Sequence, residues 1–97
     1  MPLLVEHSKR AQSDLFAIVQ FIAKKNNDDF AAERFGQKIV DRCDSIALAP
    51  GAGSPLPRFS GVRKVVKGAY KIIYRVERKK VVILRIWDGR RGTDPRI

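Results

Sequence analysis

Gly68–Trp87 reads GAYKIIYRVERKKVVILRIW. Two runs rich in β-branched and aromatic residues, Tyr70–Val76 and Val81–Trp87, flank the charged tetrad Glu77-Arg78-Lys79-Lys80. Runs of this composition form strands, and so short a link makes them antiparallel neighbours. Successive side chains point to opposite faces of a strand. In the first run Tyr70, Ile72, Tyr74 and Val76 share one face, and Lys71, Ile73 and Arg75 the other. In the second, Val82, Leu84 and Ile86 lie opposite Val81, Ile83, Arg85 and Trp87. The all-apolar sets are expected beneath a covering layer. The other face then presents Lys71, Arg75 and Arg85 among Ile73, Ile83 and Trp87, a cationic surface with an apolar stripe. Such a stripe left bare invites association, so a partner that covers it is expected.

The covering layer lies upstream. Ser8 is a helix N-cap, its hydroxyl available to an orphan backbone N–H. Ala11, Leu15, Ile18, Val19 and Ile22 follow at helical spacing until Lys24-Lys25-Asn26-Asn27 breaks the pattern. Asp28 or Asp29 starts a second helix with the stripe Ala32, Phe35, Ile39, Cys43 and Ile46, and Pro50 ends it. Two helices with so short a link pack as a hairpin. Leu3-Leu4-Val5 is a candidate first strand. PGAGSPLPRFSG, Pro50–Gly61, reads as the loop crossing from helices to sheet, and Val62–Val66 as a strand ending near Gly68. The expected fold is α+β, in the order β-α-α-β-β-β. A helix hairpin packs on one face of a small, mainly antiparallel sheet, and residues 1–97 form a single domain.

The formal net charge of +10 is unevenly placed. Through Ala49 seven cations meet seven carboxylates; from Pro50 onward thirteen cations face three. A one-sided charge points to an anionic partner, either nucleic acid or an acidic protein segment. Arg63 and Lys67 are expected to join the cationic sheet face from the strand before Gly68. Arg90 and Arg91 extend that face beyond Asp88-Gly89. Arg85 interrupts an apolar run; unpaired burial would be costly, so it faces solvent, pairs with a carboxylate such as Asp88, or awaits a partner. Trp87 reads either as a partner anchor or as a core residue closing the sheet edge. Cys43 on the helix stripe reads as a small core residue. One Cys and one His make no zinc constellation, and neither metal nor cofactor is expected. No apolar run is long enough to span a bilayer, and no membrane role is expected. The single cysteine fits a reducing cytoplasm.

The order of elements, with SKRAQSDLFAIVQFIA (Ser8–Ala23), RFSGVRK (Arg58–Lys64), GAYKIIYRV (Gly68–Val76) and ILRIWDGRR (Ile83–Arg91), resembles the RelE/ParE superfamily of toxins from bacterial type II toxin–antitoxin systems. The likeness covers nearly the whole chain. It implies a cytoplasmic toxin from a plasmid-stabilisation type of module. A cognate antitoxin would hold it in a hetero-oligomer, its acidic C-terminal segment lying on the basic face.

The superfamily divides by activity. RelE-like members cut mRNA on the ribosome with cations on the strand after the helices, on the next strand and in the tail, and often a terminal Tyr or His. Laid on that pattern, Arg63, Lys67, Lys71 and Arg91 match, but Val65 stands where a further cation is expected and Ile97 replaces the terminal residue. Cleavage through a 2′-OH needs a proton acceptor and a donor, and arginine cannot be the acceptor. A depressed lysine or Asp88 would have to improvise. ParE-like members lack the same residues and poison DNA gyrase by binding it. The resemblance is closer to that branch. A RelE-like mRNA endonuclease and a non-toxic basic nucleic-acid-binding module remain as alternatives.

Overall fold

The computed structural model describes residues 3–93 and 95–97. Of the domain expected over 1–97, Met1, Pro2 and Asp94 lie outside the described residues. Leu4–His7 form strand β1. Ser8 then caps helix α1 (Lys9–Asn26), its Oγ accepting from Ala11 N at 3.0 Å. Asn27, at φ 50°, ends the helix in the left-handed region that asparagine tolerates, with Lys24 and Lys25 in the last turn against the helix dipole. Asp28 accepts from Ala31 N at 3.0 Å and starts α2 (Asp29–Ile46). The sheet follows as β2 (Ser54–Pro55), β3 (Val62–Lys67), β4 (Tyr70–Glu77) and β5 (Lys80–Asp88), and a 3-10 turn at Gly89–Arg91 closes it.

The strand order is β1-β5-β4-β3-β2. β1 runs parallel to β5, from Leu4 opposite Lys80 to His7 opposite Ile83, and the other pairs are antiparallel. This is the α+β arrangement expected, with β2 an additional edge piece inside the Pro50–Gly61 crossover. A proline strand sits at an edge because it has no N–H to give to a ladder. No helix among the described residues is long and apolar enough to cross a membrane.

The main core lies between hairpin and sheet. Ala11, Ile39, Cys43 and Ile46 meet Val65, Tyr70, Ile72, Tyr74, Val81, Ile83 and Ile86. Each large aliphatic chain buried there contributes about 1.5–3 kcal/mol. Burial pushes the Cys43 thiol up to about 12, so it stays protonated and inert. Tyr74 is wholly buried, yet its hydroxyl donates to Pro50 O at 2.7 Å and accepts from Gly53 N at 3.1 Å. One phenol thereby pins the crossover to the sheet. A Cβ at Gly53 would collide with that hydroxyl and lie 2.8 Å from Lys64 O, so the position admits only glycine.

The structure corrects the sequence expectation at three points. In β5, Ile73 pairs with Arg85 and Tyr74 with Ile83, leaving Leu84 as an extra residue. Such a bulge shifts the alternation by one. Val81, Ile83 and Ile86 therefore all enter the main core, whereas Leu84 and Trp87 pack on the opposite face. Ile83 was expected on the partner-facing side and is instead fully buried beneath the helices. The cause lies in the neighbour. β1 ends opposite Ile83, and the start of α1 takes over the edge of β5: Ser8 N donates to Ile83 O, Ser8 Oγ to Leu84 O, and Asp14 accepts from Ile86 N.

Secondly, Ile73 is no part of a bare stripe. It is fully buried in a second small core with Leu56 and Val62, and Phe59, Leu84 and Trp87 pack around it. The crossover folds back over this face. Thirdly, Arg63 stands opposite Tyr74 and Lys67 opposite Tyr70. Directly paired residues project to the same face, which puts both cations on the helix side. Lys64, opposite Ile73, is the β3 cation that joins the other face.

Candidate protein-docking site

The end of β5, the 3-10 turn and the tail form one structured unit beside α1. Asp14, one turn into α1, accepts from Arg85 Nε at 2.7 Å, Arg85 Nη2 at 2.9 Å and Ile86 N at 3.0 Å. The carboxylate thus neutralises the cation and satisfies the N–H that β1 no longer reaches. That pairing holds the Arg85 guanidinium above its usual pKa, through the hydrogen bond to Asp14 first. Arg85 is therefore a structural residue rather than one awaiting a partner. Its remaining Nη1 donates to Arg96 O at 2.7 Å and ties down the tail.

Trp87 is the hinge of the unit. Its Nε1 donates to Thr93 O at 2.7 Å, and its ring carries Arg91 at 4.5 Å and Arg85 at 5.2 Å from the centroid. Guanidinium groups at such distances are held by the ring quadrupole. Asp88 caps the turn, its Oδ1 accepting from Arg90 N and Nε at 2.9 Å and its Oδ2 from Arg90 Nη2 at 2.9 Å. Those side-chain bonds first, and the backbone bond next, pull the Asp88 pKa down to about 2. Gly89 lets the chain turn tightly: its N donates to Ala69 O at 2.7 Å, and a Cβ there would sit 3.0 Å from the same oxygen. Between this unit and α1 lies a cleft of about 260 Å³ whose lining includes Asp14, Ile18, Phe21, Tyr70, Arg85 and Arg91.

The expected site residues consequently divide into groups. Lys71 and Arg75 lie opposite Trp87 and Val82 on the face away from the helices, as expected. Lys64 and the 60 % exposed Val66 join them there. Arg63 and Lys67 are on the helix side, and Arg63 Nη1 donates to Gly53 O at 2.7 Å. Ile73 and Ile83 are buried in the two cores. Arg85, Trp87, Arg90 and Arg91 meet in the tail unit. The four cations of the RNase pattern, Arg63, Lys67, Lys71 and Arg91, are not gathered on one face.

Much of the basic surface is solvated. Lys64, Lys67, Arg75, Arg78 and Lys79 have no ion pair among the described residues, whereas Lys80, Arg85 and Arg90 do. Sequence reasoning missed Asp14, although a signal existed. A carboxylate at position 14 falls within the apolar stripe Ala11, Leu15 and Ile18, and Arg85 is its counterpart inside an apolar strand.

The profile of the family described as ParE toxin of type II toxin-antitoxin system, parDE, matches residues 5–92. The chain belongs to the ParE toxin family. Its fold is shared by solved structures. A chain of the chromosomal ParDE toxin–antitoxin system from P. aeruginosa superposes with a TM-score of 0.77 at 24% identity, over 89% of this chain and 95% of that one. A chain of the RelBE2 toxin–antitoxin complex from Mycobacterium tuberculosis superposes with a TM-score of 0.68 at 23% identity, over 91% and 99%. No curated protein matches significantly.

Proposed function

We propose that this ParE-family toxin arrests growth by binding DNA gyrase as a protein, and that a cognate antitoxin with an acidic segment neutralises it in the cytoplasm. The observation that carries the choice is the state of Asp88. Of the two bases an RNase could improvise here, a depressed lysine or Asp88, the carboxylate accepts three hydrogen bonds from Arg90, which hold its pKa down to about 2. A carboxylate so depressed is a poor proton acceptor. The separation of Arg63 and Lys67 from Lys71 supports the same reading. What remains is a set of cations without an ion pair among the described residues, spread from β3 to the β4–β5 turn, suited to steering and holding an anionic protein surface.

One feature favours a second reading, the RelE-like mRNA endonuclease. Lys71 pairs across the ladder with Trp87, and Arg91 stacks on the same indole, so two of the four expected cations do converge. Controlled expression with and without the antitoxin separates the readings. Growth arrest with a DNA-damage response, relieved by the antitoxin, is the expected result. Codon-level mRNA cleavage in translating extracts without DNA damage would replace the gyrase reading with the second.

A further inference from the structure

We propose that the groove between the start of α1 and the tail holds the phosphodiester backbone of duplex DNA. Contact with gyrase neither requires this site nor supplies it.

The groove encloses about 700 Å³, with Lys9, Arg10 and Ser13 contributed by α1 and Thr93, Pro95 and Arg96 by the tail. The tail side is fixed in place. Arg85 Nη1 donates to Arg96 O and Trp87 Nε1 to Thr93 O, each at 2.7 Å, and Pro95 between them is buried. The cations are uncommitted. The side chains of Lys9, Arg10 and Arg96 are exposed and make no hydrogen bond, ion pair or ring contact among the described residues.

Arg10 lacks a partner for a specific reason. Asp14, one turn further along α1, is placed to neutralise it. That carboxylate is already taken by Arg85 and Ile86 N. No other carboxylate is among the described lining residues. The ion pair that fastens α1 to β5 thereby leaves three positive charges around one groove.

Cations interspersed with the hydroxyls of Ser13 and Thr93 are the groups that contact phosphate oxygens. An acidic peptide would find little to seat an apolar side chain, because Pro95 is buried and the Trp87 ring already carries Arg85 and Arg91. The same occupied ring leaves no aromatic in the groove for a stacked base, which disfavours a single strand. Magnitude disfavours a small phosphate. Each exposed ion pairing is worth no more than about fivefold in affinity. A duplex, with one charge about every 1.7 Å, adds the release of its condensed counterions.

The test is fluorescence anisotropy of a labelled DNA duplex of about 20 base pairs, titrated with the full chain over a range of salt concentrations. The wild type should bind, with log affinity falling on log salt by about 0.9 for each phosphate contacted. Lys9→Ala/Arg10→Ala/Arg96→Ala, first shown to keep the thermal unfolding midpoint, should bind at least about tenfold more weakly and lower that slope by about 2–3. Lys64→Ala/Arg75→Ala/Lys79→Ala removes the same charge elsewhere and should weaken binding by less than about threefold. Equal losses in the two triple variants would mean diffuse attraction and overturn the groove, as would a wild type that does not bind the duplex. Tripolyphosphate, poly-glutamate or single-stranded DNA held in the groove as tightly as the duplex would overturn the assignment of its occupant.

Discussion

Asp14 and Arg85, 71 positions apart, form a two-pronged ion pair at 2.7 and 2.9 Å, and the same carboxylate accepts Ile86 N. The two side chains are only 16% and 15% exposed. Asp14 therefore serves both Arg85 and the β5 backbone, whereas Arg85 links Asp14 to the tail. Asp14→Ala leaves a half-buried guanidinium and an unpaired N–H, and should cost about 2–4 kcal/mol. Arg85→Ala leaves Asp14 with one donor and should cost less, about 1–3 kcal/mol. Urea unfolding of both variants checks the order; equal, negligible losses would show that the pair does not hold α1 to β5.

Tyr74 ties the crossover to the sheet through Pro50 and Gly53. Tyr74→Phe keeps the ring and removes both hydrogen bonds, so a loss of about 1–2 kcal/mol is expected. Gly53→Ala should cost at least as much, because its Cβ meets the hydroxyl and Lys64 O. Thermal unfolding measures each. A neutral Gly53→Ala would mean that the crossover is not seated as described.

The Asp88 cap has a pH signature. The hydrogen bonds from Arg90 pull its carboxyl pKa from the usual 3.8 down to about 2 in the folded chain. A depressed carboxylate stabilises the fold above its unfolded pKa, and that contribution fades as pH falls through the folded one. The cap's contribution should therefore be complete above about pH 4 and fade as the pH falls towards about 2. The Asp88 carboxyl resonance, followed by NMR, should titrate near 2; a midpoint near 3.8 would show that Arg90 does not hold it.

Arg91 stacks on Trp87 but makes no ion pair among the described residues, and its side chain is exposed. Arg91→Ala should change stability by no more than about 1 kcal/mol while weakening toxicity at equal expression. Undiminished killing would remove Arg91 from the docking surface.

The sequence carried the fold through features that act locally. Ser8 and Asp28 announce helix starts, and the stripe from Ala32 to Ile46 announces the buried side of α2. The apolar alternation of Tyr70, Ile72 and Tyr74 places β4 correctly on the core. What misled was parity carried across a break that only a neighbour creates. Nothing in VVILRIW marks Leu84 as an extra residue; the bulge follows from β1 ending at His7 and from Asp14 reaching Ile86. The fate of Ile73 likewise depended on where Leu56 and Phe59 fold.

On the function proposed above, this toxin would act by protein contact with gyrase rather than by cutting RNA. Purified toxin added to a gyrase supercoiling reaction tests it most directly. Inhibited supercoiling with accumulation of cleaved DNA, reversed by the antitoxin, is the result predicted. Undisturbed supercoiling at toxin concentrations that arrest growth would contradict it.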